Sequence, residues 1–162
     1  MIKWNISSLV YLAALSTLVF LSACAPNQTM TKEERAALGE IVGKAENGNS
    51  AAQFEIAEKY DYAQGVKQNY EKAAYWYLEA ANKNHGEAQC RIANRYHDGV
   101  GIQKSRALAY RWSYLCRNNS SASTRARELA YIHLTTTVSI PLLSMEKIQS
   151  IEKEANEWKK QF

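Results

Sequence analysis

Three cysteines, three histidines and a pair of glycines are the residues here whose types could support chemistry. They are Cys24, Cys90 and Cys116, His85, His97 and His133, and Gly99 and Gly101. A zinc site needs such ligands at short, regular spacing. The histidines form no such spacing with each other or with the cysteines, so no metal site is expected. Gly99-Val100-Gly101 suggests a phosphate-cradling turn, yet it follows a helical pattern rather than a strand and lacks the Gly-Lys-Ser/Thr ending. Its glycines read as turn residues that take positive φ. Glu33, Glu34, Glu71 and Glu79 are spread over helix faces as solvated charge. No catalytic residue, cofactor or small-molecule substrate is therefore expected, and the chain is not expected to be an enzyme.

Cys24 stands apart because of what precedes it. Met1–Asn5 is a short polar start carrying Lys3, and Ile6 to Leu21 is an apolar run broken only by small hydroxyl residues. Small residues at Ser22 and Ala23 then lead to the thiol. A positive tip, an apolar core and a small-residue exit are the requirements of a secretion signal. As a membrane span the run is marginal, since roughly 20 apolar residues are needed to cross the hydrocarbon. Leu21-Ser22-Ala23-Cys24 resembles the lipobox of bacterial lipoproteins. The resemblance implies cleavage after residue 23 and lipid on Cys24, with residues 24–30 as a tether. Several acyl chains make a firm anchor, because each buried methylene contributes roughly 0.8 kcal/mol. Ala25, where an aspartate would favour inner-membrane retention, implies the outer membrane and its periplasmic face.

The remaining chain is about one domain long. The whole sequence has 20 basic and 16 acidic residues, a small excess that setting Lys3 aside reduces further, and no long basic run. Together with the export signal, that disfavours nucleic acid as a partner.

The elements that must position everything else emerge from an internal repeat. Sliding the sequence by 36 positions places Ala52 on Ala88, Gln53 on Gln89, Ile56 on Ile92, Ala57 on Ala93 and Tyr60 on Tyr96. The match continues through Gly65 and Gly101, Ala73 and Ala109, and Trp76 and Trp112. Ala52, Ile56, Ala57 and Tyr60 form one apolar stripe of a helix, and Ala73, Trp76, Tyr77, Ala80 and Ala81 form that of a second. A short glycine-bearing connection joins them into an antiparallel hairpin. Each hairpin has an apolar side it cannot bury alone, so the units must stack. The predicted fold is all-α, a short solenoid over residues 31–162. Full repeats are expected at about 48–83 and 84–119, with Gly48 and Asn84 in left-handed caps.

The flanks read as capping helices. Thr31-Lys32-Glu33-Glu34 is a capping box opening a helix to about Glu46, with Ala37 and Ala45 in second-helix register. Residues 124–162 are expected to form a C-terminal cap. Within it, Arg125 to about Leu134 resembles a degraded first helix, with Leu129 and Ala130 in the places of Ile92 and Ala93. Thr135–Pro141 is expected to break it, and Ser144 to about Lys160 to form a last helix.

Ala-Gln-x-x-Ile-Ala-x-x-Tyr from Ala52, followed by Gly-Val-x-Gln-Asn-Tyr-Glu-Lys-Ala-x-x-Trp-Tyr-x-x-Ala-Ala from Gly65, resembles the SEL-1-like repeat, a cousin of the tetratricopeptide repeat. Two positions depart from the pattern. Ala63 stands where glycine is usual, and Ser113 replaces an aromatic residue. The resemblance implies a module that binds a protein or peptide of the cell envelope. By analogy with tetratricopeptide repeats, the contact face would hold first-helix residues off the stripe: Phe54, Glu58, Asp61, Tyr62, Glu87, Asn94 and His97. Some exported relatives act as immunity proteins against periplasm-delivered toxins, which gives the alternative role. A β-lactam hydrolase is the more distant one, and this chain lacks the dense cysteine pairs of such relatives. For Cys90 and Cys116 two readings stay open. An oxidising periplasm permits a disulfide, and some secreted relatives bridge their helices at this level. Against it, Cys90 flanks the stripe of Ile92, Ala93 and Tyr96 while Cys116 continues that of Ala109 and Trp112, and both could remain free thiols.

Overall fold

The computed structural model describes residues 31–139 and 143–162. The expectations for the signal at 1–23, for Cys24, for the tether 24–30 and for the end of the breaker at 140–142 lie outside those residues. The chain divides into two compact units at Lys32, and the second, Glu33–Phe162, holds the helical repeats.

Seven helices and no strand occur among the described residues: α1 (Lys32–Glu46), α2 (Ser50–Tyr62), α3 (Tyr70–Asn82), α4 (Gly86–Asp98), α5 (Arg106–Arg117), α6 (Thr124–Ser139) and α7 (Met145–Lys159). Their boundaries follow local chemistry. Asn49, Asn69, His85, Ser105 and Ser144 each accept a backbone N–H of the first turn, which satisfies a donor the helix cannot. The connections inside the two hairpins share one bonding pattern. Asn69 N–H donates to Tyr60 O and Ser105 N–H to Tyr96 O, both at 2.9 Å. Gly48 and Asn84 take positive φ, 85° and 62°, as helix exits.

α2 packs on α3 and α4 on α5 as antiparallel pairs, and α3 against α4 joins the pairs. The shared core contains Ala57, Ala73, Tyr77, Ala81, Ile92, Ala93, Ala109 and Trp112. Alanines at the crossings let helices approach, and each fully buried isoleucine contributes about 1.5–3 kcal/mol. Gly101 marks the tightest approach: it has φ +74°, and a Cβ there would lie 2.0 Å from Tyr70 O. Trp76 packs with Ala45, Ala52 and Ile56 against α1. Its counterpart Trp112 meets Trp158 of α7 edge-on at 6.1 Å. Ala45 is fully buried while Ala37 is exposed, so the second-helix register of α1 holds over its C-terminal half.

Two expectations for the C-terminal cap need correction. α6 does not end near Leu134 but runs to Ser139. The β-branched Thr135–Val138 run is tolerated, and the Thr135 hydroxyl donates to Ile132 O at 2.9 Å. Pro141 disfavours helix only at the residue before it. Nor does Leu129 take the place of Ile92, because Leu129 is 47 % exposed whereas Ala130 and Leu134 are buried. The connection Asn118–Ser123 has six residues against three in Lys83–His85, and α5 is one residue shorter than α3, so cap-to-cap distance grows from 36 (Asn49 to His85) to 38 (His85 to Ser123). Ala130 then matches Ile92, Leu134 matches Tyr96, and Leu129 matches the surface residue Arg91.

Candidate functional site

The first helices of successive pairs, α2, α4 and α6, form two seams. Between α2 and α4, the Phe54 ring lies 5.6 Å from Tyr77 and stacks on His85 at 4.7 Å. Glu58 and Arg91 meet across the same seam at 3.7 Å. Below them Asp61 accepts from Tyr77 OH at 3.1 Å and pairs with Arg95. Burial raises the Tyr77 hydroxyl well above the ordinary tyrosine value, with the Asp61 charge next in effect. Burial also raises Glu58 and lowers His85, with Arg91 opposing the Glu58 shift. This seam is filled.

The seam between α4 and α6 is not. Counted from the helix caps, Cys90 stands in the place of Phe54, Ser113 in that of Tyr77 and Ser123 in that of His85. Three rings are replaced by three small side chains. The result is a cleft of about 400 Å³ lined by Glu87, Cys90, Arg91, Ala93, Asn94 and Ser113 on one side and Ser123, Arg125, Ala126, Leu129 and Ala130 on the other. Cys90 and Cys116 are joined by a disulfide, Cα to Cα 5.1 Å, and pack with Ala122, Ala126 and Ala130. The bridge fixes the cleft floor without a large side chain. The rim is tied where the Glu87 carboxylate accepts Ser123 N–H at 2.6 Å, beside the Gly86 N–H that donates to Ser121 Oγ at 3.1 Å. At the far end of α4 the His97 ring stacks on His133 of α6 at 5.0 Å, and His97 Nδ1 lies 2.8 Å from Asp98. Burial, then the neighbouring His97, lowers the His133 pKa.

Of the residues expected on a contact face, the structure brings Glu87 and Asn94 into this cleft. Glu58 and Tyr62 are on the adjoining filled seam, with Tyr62 49 % exposed and Arg91 6.0 Å above its ring. His97 is exposed and held by His133 and Asp98. Two residues do not belong to an open face. Asp61 is only 4 % exposed, because Arg95 and Tyr77 enclose it. Phe54 is spent on Tyr77 and His85. Arg91, Arg125, Leu129 and Ser113 were missed as site residues. Ser113 carried a signal, since it stands 36 positions after Tyr77, where the repeat pattern has an aromatic residue. Leu129 carried none before the register of α6 was known.

Ser144 and Ser150 each precede a lysine by three residues, the spacing of a serine–lysine nucleophile pair. Neither is arranged as one. Ser144 caps α7 by accepting Lys147 N–H, and the Ser150 hydroxyl donates to Glu154 at 3.0 Å. Among the described residues no group of three or more His, Cys, Asp or Glu is placed to hold a metal ion. No described helix is long and apolar enough to cross a membrane.

Comparison with known proteins fits this architecture. A family model described as the Sel1 repeat matches residues 50–85 and 86–115. Protein sel-1 homolog 2 of Mus musculus and of Homo sapiens are each 40% identical over 65 residues, which is 40% of this chain and 9% of theirs. The match thus spans under a tenth of the length of these relatives. Among solved structures, a protective antigen of uropathogenic Escherichia coli strains displaying an SLR fold has a TM-score of 0.62 at 22% identity. That match covers 79% of this chain and 26% of the other. A Sel1 repeat protein from Oxalobacter formigenes has a TM-score of 0.55 at 25% identity, covering 90% and 52%.

Proposed function

We propose that this chain, which carries two Sel1 repeats, is a non-catalytic binding module of the bacterial envelope that holds a protein partner in the cleft between α4 and α6. Sel1 repeats generally serve protein–protein interaction. The observation that carries the assignment to this cleft is the replacement of Phe54, Tyr77 and His85 by Cys90, Ser113 and Ser123. The seam between α2 and α4 holds rings where this one is open. Leu129 at its edge offers apolar surface, and Asn94, Arg91 and Arg125 offer hydrogen bonds, a mix suited to a partner segment rather than to solvent alone.

The membrane part of the proposal rests on the sequence Leu21-Ser22-Ala23-Cys24. Lipid on Cys24 would hold the domain at the periplasmic face of the outer membrane. Mass spectrometry of the purified chain should show acyl groups on the cysteine, and Cys24→Ala should move the protein to the soluble periplasmic fraction. A Cys24→Ala chain that stays membrane-bound would remove the anchor.

The cleft is tested by a photo-crosslinking residue placed in living cells at Asn94 or Leu129. A control residue goes at Tyr75, which is exposed on α3 outside the cleft. Discrete adducts at the first two positions and none at Tyr75 are expected. Equal adducts at all three, or none at Asn94 and Leu129, would sink the assignment.

A further inference from the structure

We infer that the segment held in the open seam is acidic: an extended stretch of a partner protein presenting carboxylates beside small apolar side chains. This rests on the cleft being the binding surface and goes further by stating what fits it. The charge of the chain is unevenly distributed. Between Ala88 and Arg127 there are eight lysines and arginines against the single acid Asp98, whereas the residues from Glu33 to Glu87 carry ten acids against six bases. Two of the eight, Arg91 and Arg125, line the open seam.

Within the cleft two guanidiniums, Arg91 and Arg125, face one carboxylate, Glu87. The Arg125 side chain is exposed and makes no ion pair or hydrogen bond among the described residues. Arg91 reaches Glu58 only at 3.7 Å, with its side chain 40 % exposed. Such a loose pair is easily exchanged for a better-placed carboxylate. Glu87, the cleft's one acid, keeps its charge but is held at the rim, one oxygen accepting Ser123 N–H. α6 also opens onto the cleft with no acid of its own in its first turn, and its N-terminal dipole attracts carboxylates there, Glu87 among them. Two guanidiniums over a floor of Ala93, Ala126 and Ala130 match alternating carboxylates and small apolar groups. Low-dielectric walls concentrate that field toward the seam.

The test uses the purified full-length chain in neutral detergent and a fluorescein-labelled decapeptide of alternating glutamate and alanine, read by fluorescence anisotropy. Peptides with glutamine or lysine in place of glutamate are the controls. The glutamate peptide should bind at least about tenfold tighter than the glutamine one, and added salt should weaken it strongly. Arg125→Glu should reduce its affinity about tenfold or more and Arg125→Gln by less. Arg106→Glu, exposed and outside the cleft, should leave it within about twofold. Equal affinity for the three peptides, or indifference to Arg125→Glu in a chain with unchanged circular dichroism, overturns the inference. So does stronger binding to phosphatidylglycerol vesicles than to the peptide, which would make the basic surface a lipid contact. The two layers separate in the cell. If crosslinks at Asn94 and Leu129 survive Arg125→Glu undiminished, the cleft binds a partner but not through acids; if they never form, the cleft itself is wrong.

Discussion

The seam between α2 and α4 and the seam between α4 and α6 are built on one plan and end differently. In the first, Phe54, Tyr77 and His85 occupy the space, and Glu58 and Arg91 bridge it. In the second the equivalent places hold a disulfide cysteine and two serines, and a cleft remains. A solenoid needs large side chains at only some of its layers to stay folded. In the second pair a covalent bridge between α4 and α5 stands where the first has the Phe54–Tyr77 contact, and the space beside it is the one proposed to bind a partner.

The comparison breaks first if the filled seam tolerates being emptied. Tyr77 is fully buried, and its hydroxyl serves Asp61. Tyr77→Ser, which copies the open seam without its bridge, should cost about 3–5 kcal/mol in urea unfolding. A cost under about 1 kcal/mol would mean that rings do not hold this seam. The converse concerns the bridge. Cys90 and Cys116 are 26 positions apart, so Cys90→Ser with Cys116→Ser should cost about 3–4 kcal/mol on the chain-entropy estimate. Reductant should lower the wild-type melting temperature and leave that double variant unchanged. Two titratable thiols in the denatured, unreduced chain would remove the bridge.

A smaller contrast lies at the helix exits. α2 ends on Ala63 in the left-handed region, φ 56°, where α4 ends on Gly99, φ 77°. A Cβ is disfavoured there by roughly 1–2 kcal/mol. Ala63→Gly should therefore stabilise by about 1 kcal/mol, and Gly99→Ala should destabilise by a similar amount. Equal and negligible effects would show that neither exit is strained.

Much of this was legible in the sequence. The 36-residue period named the helix pairs, and Gly48 and Asn84 announced left-handed exits because both residue types accept that backbone. Ser113 was visible as a departure, yet its consequence was not. A missing ring becomes a cleft only if its neighbours are small too, and Ser123 came into line only once the longer Asn118–Ser123 connection had shifted α6 by two residues. Asp61 was misread as surface because the base that buries it, Arg95, lies on the next repeat. Position relative to the stripe says nothing about such a long-range partner.

The smallest effect is a pH response with one contributor per seam. Burial lowers the pKa of His85 in the filled seam and of His133 in the open one, where His97 adds to it. The unfolded chain, titrating near 6.5, then binds more protons than the folded one, so this stability is complete above 6.5 and declines as the pH falls toward the folded values. Melting temperature should drop between pH 7.5 and 6. His133→Gln or His85→Gln should each flatten the drop, and an unchanged slope in both would exclude them as its source.

The most direct measurement is in-cell crosslinking at Asn94 in a Ser113→Tyr chain, alongside its melting curve. Restoring a ring at this place should refill the open seam. The crosslinked adduct should disappear while the melting temperature holds or rises. A full yield of adduct from a chain that melts like the wild type would contradict the claim that the missing ring makes the binding surface.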